Sequence, residues 1–217
     1  MRHSGRRLIR ATLRANVSSI DTPLSSRAPR PDAVAAFRLA RGRFRDGRRV
    51  DLRDLVTELG VSRATLHRWV GSRDHLLGEI LWAETAAVLD NVSFTGRGGE
   101  GIAEAIGTFV HTVNGSAPFR AFLRREPERA LRLLTTKASL VQSRTIDKLR
   151  TLLSGEITAG RLSTPLPAAD LAYLLVRVGE SFIYTDVITG DEPDAAKAHT
   201  AARMLLGAHF RDATTAS

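Results

Sequence analysis

The chain has 217 residues, 43% of them hydrophobic, no cysteine and a net charge of +9. This suffices for one compact core with a small attached unit, and it excludes disulfide and thiolate chemistry. Residues 1–75 carry 17 Lys/Arg against 7 Asp/Glu, whereas residues 76–217 carry 15 against 16. The basic excess therefore lies wholly in the first third and marks a polyanion-binding end.

Residues 1–30 hold seven arginines and one acid, Asp21. No sustained apolar run follows the arginines, so this reads as a disordered basic arm rather than a signal peptide. The first helix is expected over Asp32 to Arg45, with Val34, Phe37, Ala40 and Phe44 on one face. Asp51 caps a short helix from Leu52 to Leu59, which stops at Gly60. Ser62 caps a third helix ending near Val70, and Ser72 caps a fourth that runs to about Leu89. The glycine-rich stretch over 91–101 reads as a joint. Further helices are expected near 101–113, 118–125, 127–135, 139–158, 168–185 and 193–210. The fold class is all-α: a helix-turn-helix DNA-binding domain over 31–90 and a helical ligand-binding and dimerisation domain over 102–212. No stretch is long and apolar enough to span a membrane.

Leu52 to Trp69 has the pattern of a helix-turn-helix. Leu55, Leu59, Val61, Leu66 and Trp69 are apolar where two steeply crossing helices share a small core. Gly60 stands at the turn, where glycine most easily takes a positive φ. The third helix is left presenting Arg63, Ala64, Thr65, His67 and Arg68. Such a helix fits the major groove: arginine pairs bidentately with guanine, and Ala64 and Thr65 can meet a thymine methyl. The helix starts at Ser62 and at Ser72 with Arg73 suit phosphate. A helical hairpin with a solvated basic face is the plainer alternative, and the charge asymmetry favours DNA.

The stretch "LVTELGVSRATLHRWVGSRDHLL" resembles the DNA-binding segment of the TetR family of bacterial regulators. Gly60, Val61, Ser62, Leu66, Ser72, Arg73, Asp74 and Leu76 keep the family pattern. The resemblance covers about Asp32 to Leu89, and the remainder agrees in helix number and order. His67 stands where the family usually has a phosphate-touching tyrosine, which makes that contact pH-sensitive. Trp69 and Val70 replace an aromatic pair, Arg73 replaces a lysine that meets the DNA backbone, and Val56 replaces an alanine. "RWVGSRDHLLGEILW" and "VRVGESFIYTDVITG" are similar to a sub-branch that responds to quorum-signal lactones. The resemblance implies a homodimer whose last two helices form a four-helix interface, and a ligand cavity among the middle helices.

Gly96, Gly98 and Gly101 match a dinucleotide-binding spacing, but no strand precedes them, so a flexible hinge is the expected role rather than a cofactor site. No histidine pair has metal-ligand spacing, and no nucleophile carries a hydrolase signature. No catalytic residue, cofactor or metal is therefore expected. In "YLLVRVGESFIY", Tyr173, Arg177, Glu180 and Tyr184 share one helix face. The helix is apolar around most of its remaining circumference, so this stripe is expected to be partly buried. Arg177 and Glu180 either pair with each other at a subunit interface or hold a ligand's polar group. The candidate cavity residues are Trp82, Phe109, Phe119, Phe122, Tyr173, Arg177 and Glu180; plain core is the alternative for the aromatic ones. Arg120, Arg124, Arg125 and Arg129, interleaved with Glu126 and Glu128, read as a solvated face.

The expected function is a cytoplasmic, homodimeric repressor. It would bind a pseudo-palindromic double-stranded operator and be released by a small-molecule effector, lactone-like by the narrower resemblance. Two rivals stand beside it: a helical-bundle carrier or enzyme, and a non-specific nucleic-acid-binding protein that uses the basic arm.

Overall fold

The computed structural model describes residues 30–92, 97–136 and 139–207. The expected arm falls almost wholly outside them. The described residues from Pro31 to Gly207 form one compact unit, and no strand occurs among them. The helices are α1 (Ala33–Arg45), α2 (Leu52–Leu59), α3 (Arg63–Val70), α4 (Arg73–Asn91), α5 (Gly98–Asn114) and α6 (Ala117–Arg125). They continue with α7 (Pro127–Thr135), α8 (Leu140–Thr158), α9 (Ala168–Ile183), α10 (Thr185–Ile188) and α11 (Ala195–Leu205). Short polar side chains start many of them. Asp32, Ser62, Ser72 and Ser139 each accept a hydrogen bond from the backbone N–H three residues on, at 2.7–3.1 Å. Gly60 closes α2 with φ +62°, the left-handed conformation that lets the chain turn at once into α3.

Helices α1–α3 share a small core of Ala36, Ala40, Leu55 and Leu66. The buried Arg43 on α1 ties down α2 by pairing with Asp54 at 2.8 Å and Glu58 at 2.5 Å. Leu76, Leu77, Ile80 and Leu81 on α4 carry this core into that of the later helices. Phe44 on α1 meets Phe122 on α6 edge-to-face, with ring centroids 5.8 Å apart.

A cluster of charges reinforces that junction. Arg73 opens α4, with Nε donating to the Val50 carbonyl at 2.5 Å. Its two terminal nitrogens donate to both oxygens of Glu126, at 2.7 and 2.6 Å. Glu126 occupies the corner between α6 and α7 and also accepts from Arg129. Arg129 and Arg132 reach Asp74 at 2.9 and 2.5 Å, and Arg125 donates to the Gly47 carbonyl. Hydrogen bonds from Arg73, then from Arg129, hold the Glu126 carboxyl down at about 2 despite partial burial.

Three expectations need correction. The arginine run over 120–129 is not a solvated face. Arg120 is buried and donates to the Ile183 carbonyl at 2.8 Å and to Asp186 at 3.1 Å, while Arg125 and Arg129 serve the corner; Arg124 stays exposed. Gly98 and Gly101 are not a flexible hinge but lie in the first turn of α5. Gly98 has φ +58°, its N–H donates to Glu156 at 3.1 Å, and a Cβ there would come within 2.4 Å of the Arg161 carbonyl oxygen. Last, the helix expected over 168–185 stops at Ile183 and restarts as α10. The helix expected over 193–210 spans Ala195–Leu205, with residues 208–210 outside the described range.

Three outcomes follow for stability. Gly98→Ala meets both a strained φ and the Arg161 backbone, and should cost about 2 kcal/mol or more in urea unfolding. Gly155→Ala, inside α8 with open space around its Cβ, should instead gain about 0.5–1 kcal/mol. The depressed Glu126 carboxyl stabilises the fold fully above its ordinary range, and that contribution is lost as pH falls from about 4.5 towards 2. Glu126→Gln should therefore cost about 3 kcal/mol at neutral pH and flatten this part of the acid limb. An unchanged acid limb would remove the assignment.

Candidate functional site

Two sites lie on either side of the α4 junction. The first is the outer face of α3. Leu66 and Val70 are buried and Trp69 half-buried, which orients the helix. Arg63, Ala64, His67 and Arg68 are exposed and Thr65 is half-buried. None of the basic side chains among these is drawn into an ion pair with a described residue, in contrast with the arginines at the α6–α7 corner. The Ser62 hydroxyl is hydrogen-bonded to the Thr65 hydroxyl at 2.9 Å and caps its N–H at 3.1 Å, so the first turn of α3 is internally braced. Ser72 is exposed and caps His75. Arg73 departs from expectation: its guanidinium faces inward and is spent on Glu126 and Val50, leaving its side chain 15% exposed. The sequence could not reveal a partner 53 residues away.

The second site is a partly open apolar cavity lined by α4–α9 and Tyr184, with a volume of about 80 Å³. Ile106, Phe109, Val110 and Val113 of α5 form one wall, and Leu175, Val176, Gly179 and Ile183 of α9 face it. Phe119 of α6 and Leu134 of α7 contribute from each side of the Glu126 corner. Helix α8 adds Val141, Gln142, Thr145, Lys148, Leu149 and Leu152. At the polar end, Gln142 Nε2 donates to Glu180 at 3.2 Å, and Arg177 donates to the same carboxylate at 2.6 Å from outside the cavity. Burial pushes the Glu180 carboxyl up, against the opposing pull of Arg177 and Gln142. Burial, followed by the nearby Glu180 charge, raises the Tyr184 phenol well above its ordinary value, so it stays a neutral hydroxyl.

Of the expected cavity residues, Phe109, Phe119 and Glu180 are among those lining the wall. The other four lie elsewhere. Phe122 faces Phe44 in the junction. Trp82 lies under the Arg144 guanidinium, 5.5 Å from its ring centroid. Tyr173 is 50% exposed, and Arg177 approaches Glu180 from the exposed side of α9. The polar stripe is thus divided: Glu180 and Tyr184 face inward, while Tyr173 and Arg177 face outward. The α8 contribution was missed, although Val141, Thr145, Leu149 and Leu152 repeat at the spacing of one helical face.

No described helix is long and apolar enough to cross a membrane. Comparison with curated proteins returned no match. Residues 97–207 match the family model for the tetracycline repressor-like C-terminal domain. Among solved structures, the chain is similar to the R. erythropolis transcriptional repressor QsdR from the TetR family. The TM-score is 0.74 at 29% identity, over 81% of this chain and 94% of that one. A three-helix unit with an exposed basic α3, followed by a matching C-terminal domain over half the chain, leads to one conclusion: the chain belongs to the TetR family of transcriptional regulators.

Proposed function

We propose that this protein is an effector-responsive transcriptional repressor that works in the cytoplasm as a homodimer and has no catalytic activity of its own. The observation that carries the reading is the pairing of two sites through one corner: the basic face of α3 on one side, an apolar cavity on the other, and Glu126–Arg73 between them. Two copies of α3 enter successive major grooves of a pseudo-palindromic operator, about one helical turn apart. Exposed apolar side chains on α9 and α11, among them Tyr173, Leu174 and Met204, supply the dimer face. The similar repressor and the family match support repression relieved by a small molecule. A lactone is one chemistry among the effectors such a cavity could hold.

The effector acts on α6 and α7. Phe119 and Leu134 form part of the cavity wall and lie on the two helices that meet at Glu126. A molecule that pushes them apart moves the corner, and Glu126 carries Arg73 and the start of α4 with it. Helix α4 follows α3 after two residues, so the recognition helix shifts too. The effector can move this equilibrium only by its differential affinity for the two arrangements.

The reading is tested by titrating the protein against a duplex from upstream of its own coding sequence and a scrambled duplex of equal length, across a salt series. The native duplex should bind orders of magnitude more tightly and tolerate moderate salt; equal, salt-labile binding to both would sink the reading, because non-specific affinity is mostly counterion release. Arg63→Ala should cost about 1–3 kcal/mol of discrimination at one base position. Ser62→Ala should weaken all duplexes alike by removing the α3 cap, with about 1 kcal/mol lost from stability.

A further inference from the structure

We infer that the effector is an uncharged, medium-length amphiphile whose head group carries a hydrogen-bond donor, such as a primary amide or an alcohol, seated against Glu180, Gln142 and Tyr184. This rests on the reading of the cavity as the effector site and narrows it to a chemical class.

The shape sets the length. Along α8 the wall runs from Gln142 to Leu152, ten residues or about 15 Å at the helical rise; the void of about 80 Å³ is smaller than a chain of that length, so binding has to spread the walls. The far end is lined by Leu89 and Leu152, which pack with Ala105 and Phe109 in an apolar cluster. The polar group nearest this end is the single Thr85 hydroxyl, one turn before Leu89, against Gln142, Glu180 and Tyr184 gathered at the other end. The lining cation, Lys148, directs its ammonium to Asp90 on α4. The tail therefore lies towards Leu89 and Leu152.

The chemistry of the other end sets the head group. Glu180 presents a carboxylate whose Oε2 takes Arg177 at 2.6 Å, while Oε1 has only the long bond from Gln142 at 3.2 Å. Gln142 spends its Nε2 on Glu180, which leaves its amide oxygen as an acceptor. The Tyr184 hydroxyl is buried and makes no hydrogen bond to the described residues. Acceptors thus dominate at this end, and the phenol is its free donor. A ligand N–H or O–H would complete Glu180, and the phenol could donate to an amide oxygen. A ligand carboxylate would place a second negative charge against Glu180 with no free cation. A ligand ammonium would be a second cation on a carboxylate already paired with Arg177, and so would be left uncompensated in an apolar wall.

Four ten-carbon probes that differ only in the head group test this: decanamide, decan-1-ol, decanoate and decylammonium. Each is titrated calorimetrically into the full-length protein at pH 7.5, below its micelle concentration, and into the protein–operator complex. Decanamide and decan-1-ol should bind and release the operator, with decanoate and decylammonium at least tenfold weaker. Glu180→Gln should reduce the preference for amide over carboxylate at least fivefold, and Gly179→Val, which adds methyl groups to the wall, should weaken decanamide at least tenfold. Tightest binding by decanoate or decylammonium would overturn the class. So would no binding by any probe to protein that still recognises its operator, and in that case the regulator reading stands. Decanamide binding that Gly179→Val leaves untouched would put the ligand outside the cavity and overturn the site reading as well.

Discussion

A carboxylate at the corner between α6 and α7 holds the guanidinium that opens α4, and the helices on either side take their relation from that contact. The Arg73–Glu126 pair is bidentate, and both side chains are nearly buried. Such a pair adds little to stability over a well-packed apolar contact, but it is costly to break by halves. Its directionality matters more. Two parallel N–H donors fix the orientation of the α4 start against the corner, which an apolar contact alone would leave freer to slide. Phe44 against Phe122 supplies the apolar part of the junction beside it.

This constraint explains why Arg73 is not free for the DNA backbone. A residue that begins α4 three positions after the end of α3 could serve phosphate or the protein interior. Glu126, with Arg129 and Asp74 around it, decides for the interior. On the exposed face of α3, Arg63, His67 and Arg68 have no acidic partner among the described residues, and under the proposed function it is this face that meets phosphate and base edges. Arginines in the later helices lie beside acids close in space, as Arg132 does by Asp74 and Arg144 by Glu79.

Local features were legible in the sequence. The starts of α1 to α4 follow from Asp32, Asp51, Ser62 and Ser72, because N-capping is a contact within three residues of the cap. Gly60 announced its own turn. The solvent-facing set on α3 followed from its helical period and from the small core it must share. What escaped the sequence was set by partners far along the chain. The Arg120 tie to Ile183 spans 63 residues, and the Arg161 backbone that forbids a side chain at Gly98 is as remote. Aromatic identity alone did not distinguish the cavity from the core: Phe119 and Phe122 are three residues apart, yet one faces the cavity and the other faces α1. That difference depends on which side of α6 meets α1, a fact of packing rather than of composition.

The central claim is that the α3 face and the cavity walls are coupled through the corner. Coupling is reciprocal, so operator binding must be felt at the cavity even without an effector. Amide hydrogen exchange of the free protein and of the protein–operator complex, in wild type and in Glu126→Gln, measures this directly. The account predicts altered protection in α6 and α7 as well as in α3 on operator binding, and a smaller α6–α7 response in the variant at saturating DNA. A response confined to residues before 92 in the wild type would contradict it.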